Sequence, residues 1–236
     1  MTETLYYQDA YLKEFDAVVS AVSAEGVELD RTAFYPGGGG QPADAGSLRA
    51  GSATWPVASV RKVEGRIWHR MDGERPGVGQ AVRAALDWNR RYALMRTHTA
   101  MHILCGVIWR DFGASVTGGN MEPFQGRMDF EFERMQQELV REIEVRINVE
   151  VQAGRQVRTR SLPRADAFQI PDLIRTKINL LPEGIQEVRV VEIVGLDLQA
   201  DGGTHVANTS EVGPIRVVDH KSKGAINKRL VVALDR

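Results

Sequence analysis

The order of apolar and polar residues divides the chain into two regions with different periodicities. Residues 1 to about 87 contain short alternating runs separated by turn residues such as Glu25-Gly26 and Glu64-Gly65, which is typical of β-strands. Strands this short and this closely spaced predict a small barrel or sandwich. We predict strands over residues 15–22, 27–29, 55–63, 66–71 and 80–86.

Helical periodicity begins near residue 87. Asp87 is a predicted N-cap for a helix over residues 89–112 that ends at Gly113, and a second amphipathic helix is predicted over 134–149. An extended stretch after Gly154 leads to a short helix interrupted near Pro171. Further strands are predicted over 127–132, 187–194, 215–220 and 229–234. The predicted fold class is α+β, with a small N-terminal β-barrel-like domain over residues 1–88 and an α+β domain over residues 89–236.

The first helix is predicted to present one apolar face to the core. Its members recur at helical spacing. They are Leu94, Met101, Cys105, Ile108 and Phe112, with Met95 and Trp109 beside them.

Composition excludes several classes of protein. The 236 residues carry 30 Lys and Arg against 31 Asp and Glu, so the net charge of −1 argues against a protein coated in positive charge, and any nucleic-acid contact must be local. A single cysteine excludes a disulfide framework. No run of about 18 apolar residues predicts a membrane span, and the N-terminus does not resemble a signal peptide. We therefore expect a cytoplasmic protein with no membrane partner; the oligomeric state is not given by the sequence.

Two histidines four residues apart, His98 and His102, fall on the apolar face of the first predicted helix. This spacing places both side chains on one side of the helix and allows them to share a metal ion. Two core histidines bonded to backbone carbonyls would give the same pattern. No Glu follows His98, so the segment is not the HExxH of a metalloprotease.

A second pair of candidate ligands, Asp201 and His205, flanks two glycines that favour a turn. Three imidazoles and one carboxylate suit Zn²⁺ and also allow a harder divalent ion. Taken alone, Asp201 would be interpreted as a solvated turn residue, whereas four candidates in two matched pairs favour a metal site. Cys105 is expected to pack in the core rather than to bind metal. His69 and His220 are expected to be ordinary strand or surface residues.

Four consecutive glycines follow the segment Phe34-Tyr35-Pro36. Glycine runs are costly to order, and close approach of the backbone to a ligand is one reason to keep them. A flexible hairpin tip is the alternative. No Gly-Lys-Ser/Thr follows, so the segment is not a P-loop.

Four segments in order resemble the motif series of alanyl-tRNA editing proteins, the freestanding AlaX-type relatives of the editing domain of alanyl-tRNA synthetase. They are FYPGGGGQPADAG, THTAMHIL, GRMDFEF and VRVVEIVGLDLQADGGTHVANTSEVG. The resemblance runs from about residue 5 to 234. It implies that residues 89–236 fold like the second additional domain of threonyl- and alanyl-tRNA synthetases. The glycine-rich N-terminal domain resembles the medium-length class of the family.

The resemblance also implies a function and a cofactor. Such proteins hydrolyse the ester that joins a wrong amino acid, serine or sometimes glycine, to tRNA(Ala). They bind zinc through HxxxH and CxxxH, which assigns one Zn²⁺ per chain to His98, His102 and His205. Asp201 stands where the family usually has Cys, so another divalent ion also fits.

Further residues receive roles from the resemblance and from local charge. The resemblance assigns Thr32 to serine recognition and Gly37, Gly38, Gly39 and Gly40 to the aminoacyl end of the tRNA. Ester hydrolysis also needs a positioned water, so Thr99 and Gln41, like the glycine backbone, are candidates to hold that water or the adenosine and are catalytic candidates beside His98 and His102. Two basic groups are candidates for phosphate contact, and no DNA partner is expected. The first is Arg155, Arg158, Arg160, Arg164, Arg175 and Lys177, and the second is Lys221, Lys223, Lys228 and Arg229.

Two other functions stay open at the level of sequence. One is a metal-dependent hydrolase of another small ester or amide, which Asp201 in place of Cys keeps open. The other is a tRNA-binding module without catalytic activity.

Overall fold

The fold is that of a computed structural model, which describes residues 2–132, 135–174 and 184–236. Contacts along the chain divide it into two units, Met1–Ala93 and Leu94–Arg236. That residues 1–88 and 89–236 are two domains, each folding independently, stays a prediction.

The first unit consists almost entirely of strands. A single-turn helix, α1, follows the first short strand, and β1 and β4 form a separate parallel pair. In chain order the elements are β1 (Glu3–Thr4), α1 (Leu5–Gln8), β2 (Glu14–Ser23), β3 (Gly26–Leu29), β4 (Arg31–Thr32), β5 (Gly46–Ala50), β6 (Ala53–Val57), β7 (Ser59–Val63), β8 (Arg66–Arg70) and β9 (Ala81–Leu86).

Seven of these strands form one antiparallel sheet in the order β6-β5-β9-β2-β3-β8-β7. Strand β2 alternates as the sequence predicts, with Phe15, Ala17 and Val19 buried between exposed neighbours. These side chains join one apolar cluster with Leu29 and Phe34. Full burial of a large apolar side chain contributes about 1.5–3 kcal/mol, so this face stabilises the unit.

The predicted strand over residues 55–63 is wrong, because it is two strands. The backbone N–H of Ala58 donates to the Arg70 carbonyl (2.9 Å), and the chain passes there from β6, which pairs with β5, to β7, which pairs with β8. Strand β5 was not predicted. Within residues 2–93, the edge strands β6 and β7 are not paired with each other, so the barrel-like arrangement is an open sheet rather than a closed barrel.

The second unit is α+β, as predicted. Its long helix α2 begins in the first unit, and its strands form two antiparallel sheets ordered β10-β11-β16-β15 and β12-β13-β14. The elements are α2 (Trp88–Phe112), β10 (Val116–Glu122), β11 (Gln125–Glu131), α3 (Gln137–Gln152), β12 (Val157–Pro163), α4 (Arg164–Ala167), β13 (Glu187–Ile193), β14 (Asp197–Ala200), a 3-10 turn (Thr209–Val212), β15 (Ile215–Ser222) and β16 (Asn227–Leu234).

Helix α2 has the predicted ends but not the predicted single apolar face. The Asp87 carboxylate accepts a hydrogen bond from the Arg90 backbone N–H (3.1 Å), and Gly113 ends the helix at φ 64°. Every residue from 97 to 108 is buried, so this central part of the helix is enclosed on all sides. Its polar side chains therefore need partners inside the protein.

Helix α3 begins and ends three residues later than predicted, and residue 134 lies outside the described residues. The face predicted for it, Met135, Leu139, Ile143 and Ile147, is partly right, since Ile143 and Ile147 are buried with Val140. The helix continues through Glu150, a buried carboxylate that accepts hydrogen bonds from Arg110 and Arg155. These two partners explain why a charged residue ends the buried face.

Strands β11, β13, β15 and β16 confirm the four strands predicted for this region, with ends displaced by one or two residues. The helix predicted near Pro171 corresponds in part to α4, and residues 175–183 lie outside the described part of the chain. Among the described residues, no helix has both the length and the apolar character to cross a membrane.

Candidate metal centre

Four side chains that can bind metal meet in the second unit. His98 and His102 lie one turn apart on α2, and Asp201 and His205 lie in the segment after β14. One candidate ligand atom from each residue lies within 4.8 Å of the others. The structure thus brings together all four residues of the two predicted motifs.

The three imidazoles of this group pack against one another. The rings of His98 and His205 are stacked at 4.3 Å, and the ring of His102 lies 4.7 Å from that of His205 at 81°. Each histidine is less than a tenth exposed. Buried rings this close cannot all be protonated, because like charges at this separation repel strongly in a low dielectric.

A hydrogen-bonded turn places Asp201 beside the imidazoles. Its Oδ2 accepts from the Gly203 backbone N–H (2.7 Å) and from His205 Nε2 (3.0 Å), and Oδ1 lies 3.6 Å from His98 Nε2. From β13, Arg189 donates to the carbonyl oxygens of Asp201 (3.1 Å) and Gly203 (2.8 Å). Arg189 thereby fixes the turn from outside the motif, a role that the sequence did not reveal.

The pKa values of the group favour neutral rings at His98 and His205 beside an ionised Asp201, whereas His102 is shifted toward its protonated form. Burial lowers the pKa of His98 well below its usual value and that of His205 to about 4, although Asp201 opposes both changes. For His102, burial is the largest influence and lowers the pKa, but the hydrogen bond to Asp197 and the negative charges of Asp197 and Asp201 together outweigh it, so the net pKa is raised. Burial alone would raise the pKa of Asp201; the nearby histidines outweigh it and hold that pKa well below normal.

This donor set fits a divalent cation. In a tetrahedral zinc site with bonds of about 2.0–2.2 Å, ligand atoms lie roughly 3.3–3.6 Å apart. The four candidate atoms, all within 4.8 Å of one another, need only a small contraction to reach that spacing. Metal binding requires neutral imidazoles and an ionised carboxylate, which are the states favoured at His98, His205 and Asp201.

Two buried side chains contact the imidazole nitrogens that face away from the group. Thr99 Oγ1 lies 3.2 Å from His205 Nδ1 and accepts from the Val206 backbone N–H (3.3 Å), and Asp197 Oδ2 lies 3.1 Å from His102 Nδ1. Thr99 is fully buried, a position suited to orienting His205; its expected role beside the reacting water stays a prediction. Asp197 was missed, although it lies four residues before Asp201.

Cys105 is buried (1% exposed) and is not a member of the four-residue group. This agrees with its expected role in core packing.

The glycine run lies in the first unit and adopts a conformation that other residues rarely reach. Gly37, Gly38, Gly39 and Gly40 have φ angles of 80°, 130°, 58° and 85°. Gly38 and Gln41 exchange two backbone hydrogen bonds of 3.0 Å. Residues 38–40 are exposed, so a ligand can approach their backbone without meeting a side chain.

A buried ion pair anchors both ends of this loop. Tyr35 and Asp44 exchange hydrogen bonds, from Tyr35 N to the Asp44 carboxylate (2.6 Å) and from Asp44 N to the Tyr35 carbonyl (3.0 Å). The fully buried guanidinium of Arg91 binds the same carboxylate and also donates to the carbonyls of Ala10 and Ala33. The glycine segment is therefore a braced loop rather than an unsupported tip.

Thr32 lies in the core of the first unit, fully buried beside His69. His69 Nδ1 lies 3.0 Å from the Val27 carbonyl and must donate to it, so Nε2 accepts from the Thr32 hydroxyl (2.8 Å). The Phe34 backbone N–H donates to Thr32 Oγ1 (3.1 Å). How Thr32, Gln41 and the glycines of the first unit act with the metal-binding group of the second stays a prediction.

The predicted phosphate-binding residues differ in their availability. Arg158 and Lys223 are exposed, and Arg158 donates to the Gln156 side chain (2.6 Å). Lys221 pairs with Asp219 (2.9 Å), and Arg155 with Glu150. Lys228 is 7% exposed, and its ammonium donates to the carbonyls of Gly224 (2.9 Å) and Ala225 (2.8 Å). Two further candidates, Arg175 and Lys177, lie outside the described residues.

Two protein families match parts of the chain. Residues 3–90 match the family described as class II (A) tRNA synthetases, and residues 188–231 match the threonyl and alanyl tRNA synthetase second additional domain. The second match includes Asp201 and His205.

Whole-length relatives are also found. The alanyl-tRNA editing protein AlaX-M of Methanosarcina barkeri is 38% identical over 99% of each chain, and that of Saccharolobus solfataricus is 40% identical over 98% of each. The alanine–tRNA ligase of Pyrococcus abyssi is 40% identical over 92% of this chain, which spans 24% of that enzyme.

Proposed function

The chain belongs to the family of alanyl-tRNA editing proteins, and on this premise we propose that it hydrolyses the ester of tRNA(Ala) mischarged with serine or glycine. Membership of this family supports the general activity, hydrolysis in alanyl-tRNA editing. The choice of amino acid and the use of a metal are the parts we add.

The observation that carries the proposal is the buried group of His98, His102, Asp201 and His205. Three imidazoles and a carboxylate within 4.8 Å suit a divalent cation, which we propose to be one Zn²⁺ per chain. Because Asp201 is a harder donor than a thiolate, Mn²⁺ or another hard divalent ion competes better here than at a site with Cys.

A bound divalent ion supplies Lewis acidity, which polarises an ester carbonyl or acidifies water. The chain's own residues prepare for this. Burial keeps His98 and His205 unprotonated, and Asp201 brings the negative charge that balances a cation. Thr99 and Arg189 hold His205 and the Asp201 turn in place, so little reorganisation is needed when substrate binds.

The exposed backbone of residues 38–40 is proposed to receive the aminoacyl end of the tRNA, with Gln41 closing the loop through its bonds to Gly38. Glycine allows this approach because no Cβ intervenes. An aminoacyl-tRNA substrate places the proposed activity in the cytoplasm, with translation.

Selection of serine over alanine is proposed to depend on Thr32. Its oxygen donates to His69 and accepts from Phe34, which leaves one lone pair to accept from a serine hydroxyl. A site that leaves a polar group unpaired with alanine rejects alanine strongly. Because Thr32 is fully buried, this role requires the side chain to become accessible when the aminoacyl end binds.

The test is deacylation of Ser-tRNA(Ala), Gly-tRNA(Ala) and Ala-tRNA(Ala) by wild type, His102→Ala and Asp201→Ala, with metal content measured on the same samples. His220→Ala is the matched control, since this histidine lies on β15 outside the group. We expect wild type and the control to hydrolyse the seryl ester with metal bound, and both other variants to lose turnover and metal.

Other outcomes separate the alternatives. Equal rates on seryl and alanyl esters would contradict serine selection. The rates of Thr32→Val on both esters show whether Thr32 is the residue responsible for that selection. Activity on small esters but not on tRNA would identify another hydrolase. Binding of tRNA without turnover would identify a module that has lost catalysis.

A further inference from the structure

Asp197, the first residue of β14, contacts the metal-binding group without belonging to it. Its side chain is 0% exposed, and its Oδ2 lies 3.1 Å from His102 Nδ1. A carboxylate has no proton to give at this position, so Nδ1 carries the hydrogen and donates it. When the ring is neutral, His102 Nε2 is then the unprotonated nitrogen, available to the group formed with His98, Asp201 and His205.

Two neighbouring residues, Gly106 on α2 and Gln199 on β14, allow and stabilise this contact. Gly106 lies one helical turn after His102, and a Cβ there would meet Asp197 Cβ at 3.0 Å and Leu196 Cγ at 2.9 Å. Absence of a side chain at Gly106 therefore allows the start of β14 to lie against α2. The amide of Gln199 donates to Asp197 Oδ2 (2.7 Å) and fixes the carboxylate from the same strand.

We propose that Asp197 is a positioning residue that sets the tautomer and ring orientation of His102 for metal binding. The inference rests on the metal centre of the proposed function. A carboxylate behind a ligating histidine orients the ring and raises its basicity, and loss of such a partner lowers metal affinity by about 10- to 100-fold.

His102 and His205 differ in the partner of the nitrogen that faces away from the group. Thr99 offers a neutral hydroxyl to His205, whereas Asp197 offers an anion to His102. A charge-assisted hydrogen bond is roughly twice as strong as a neutral one. His102 is therefore the more firmly oriented of the two. Its orientation depends on Asp197, which can be replaced while all four proposed metal ligands stay unchanged.

The test compares wild type with Asp197→Asn and with Asp219→Asn as the matched control, an aspartate of β15 that pairs with exposed Lys221. Zn²⁺ affinity is measured by competition with a chromophoric chelator. The ¹⁵N shifts of the His102 ring are recorded in the metal-free protein, and the unfolding temperature of each variant is measured alongside.

We expect Asp197→Asn to weaken Zn²⁺ binding by about 10- to 100-fold and to give a mixture of Nδ1–H and Nε2–H tautomers at His102. The control should leave affinity and tautomer unchanged. A purely structural residue would lower the unfolding temperature without changing the tautomer. Wild-type affinity together with a single Nδ1–H tautomer in Asp197→Asn would overturn the proposal.

These results separate this inference from the proposed function. If wild type binds Zn²⁺ tightly and Asp197→Asn does so equally well, the positioning role fails and the metal centre stands. If wild type binds Zn²⁺ but leaves Ser-tRNA(Ala) intact, the function fails and the role of Asp197 stands. If wild type binds no Zn²⁺, both fail.

Discussion

Asp201 Oδ2 lies 3.0 Å from His205 Nε2, although a turn containing two glycines, and not a helix, joins the two residues. In the absence of metal this contact requires a proton on Nε2, because a carboxylate only accepts hydrogen bonds. With a divalent cation bound, that proton would be displaced and both residues would face the same ion. The chemistry of the residue at position 201 should therefore control which ion is preferred.

Asp201→Cys tests this control. A thiolate is a softer donor than a carboxylate, so the substitution should raise affinity for Zn²⁺ relative to Mn²⁺. Asp201→Asn should weaken the binding of both ions, because it removes the anionic donor. Competition titrations with Zn²⁺, Co²⁺ and Mn²⁺ measure the order of preference, and a thiolate-to-Co²⁺ charge-transfer band shows whether the new cysteine ligates.

Asp219→Cys, on β15, controls for the addition of a thiol elsewhere in the same unit. An unchanged Zn²⁺-to-Mn²⁺ ratio in Asp201→Cys, with no charge-transfer band, would show that residue 201 is not a ligand.

The glycine loop gives a second prediction, in which two glycines have the same φ. Gly37 and Gly65 both have φ 80°, so alanine at either is expected to cost about 1–2 kcal/mol of folding stability through backbone strain. At Gly37 the new Cβ would also meet the backbone N of Ala43 at 3.2 Å, whereas at Gly65 nothing lies within 4 Å. Gly37→Ala should displace the loop and lower kcat/KM for Ser-tRNA(Ala) about 10- to 100-fold.

Gly65→Ala should lose similar stability and keep its activity. Urea unfolding and deacylation rates measured on both variants separate the effects. Equal activity in the two variants would indicate that the glycine run does not contact the substrate.

Binding of tRNA gives a third prediction, about salt. Arg158 and Lys223 are exposed, so each alanine variant should weaken tRNA binding and reduce the slope of log affinity against log salt by about 0.7–0.9 for each phosphate that the variant no longer binds. Lys228→Met is the contrasting variant, because the Lys228 ammonium is bound to two carbonyls of its own hairpin. It should lower stability and leave the slope unchanged. The opposite ranking of slopes would assign phosphate binding to Lys228.

Much of the fold could be predicted from local sequence patterns. The predictions were wrong or incomplete where an element depends on partners that are distant in the sequence. Strand β2 was found because Phe15, Ala17 and Val19 alternate. Strand β10 was not, because Gly118 and Gly119 interrupt the alternation. The all-round burial of α2 was missed because its polar side chains are stabilised by partners far along the chain; Thr97, for example, accepts from the Phe124 backbone N–H.

The candidate site divides in the same way. His98 and His102 were identified because one turn of helix separates them, which is local information. Asp197 and Arg189 were not, because their contacts depend on the pairing of β13 with β14 and on the packing of β14 against α2, neither of which has a sequence pattern.

Acid sensitivity gives the last prediction, at a histidine distant in sequence from the metal-binding residues. Burial lowers the pKa of His69 to about 4, since its ring is enclosed between Thr32 and Val27. The unfolded chain, with a pKa near 6.5, then binds a proton that the folded chain does not bind. His69 therefore leaves stability intact above pH 6.5 and lowers it progressively as the pH falls toward 4, by about 3 kcal/mol in total.

His69→Gln removes this titration. Gln can still accept from Thr32, so the variant should be less stable than wild type at pH 7 but should lose less stability between pH 6.5 and 4. Urea unfolding across that range measures the difference, with His220→Gln, a half-buried β15 variant, as the control. Because His98 and His205 also resist protonation, the wild type and the control should stay acid-sensitive, and His69→Gln should reduce the pH slope by up to one proton. Parallel curves for all three proteins would mean that the folded protein also protonates the second ring nitrogen of His69. Its Nε2–H would then donate to Thr32, the reverse of the hydrogen bond described above.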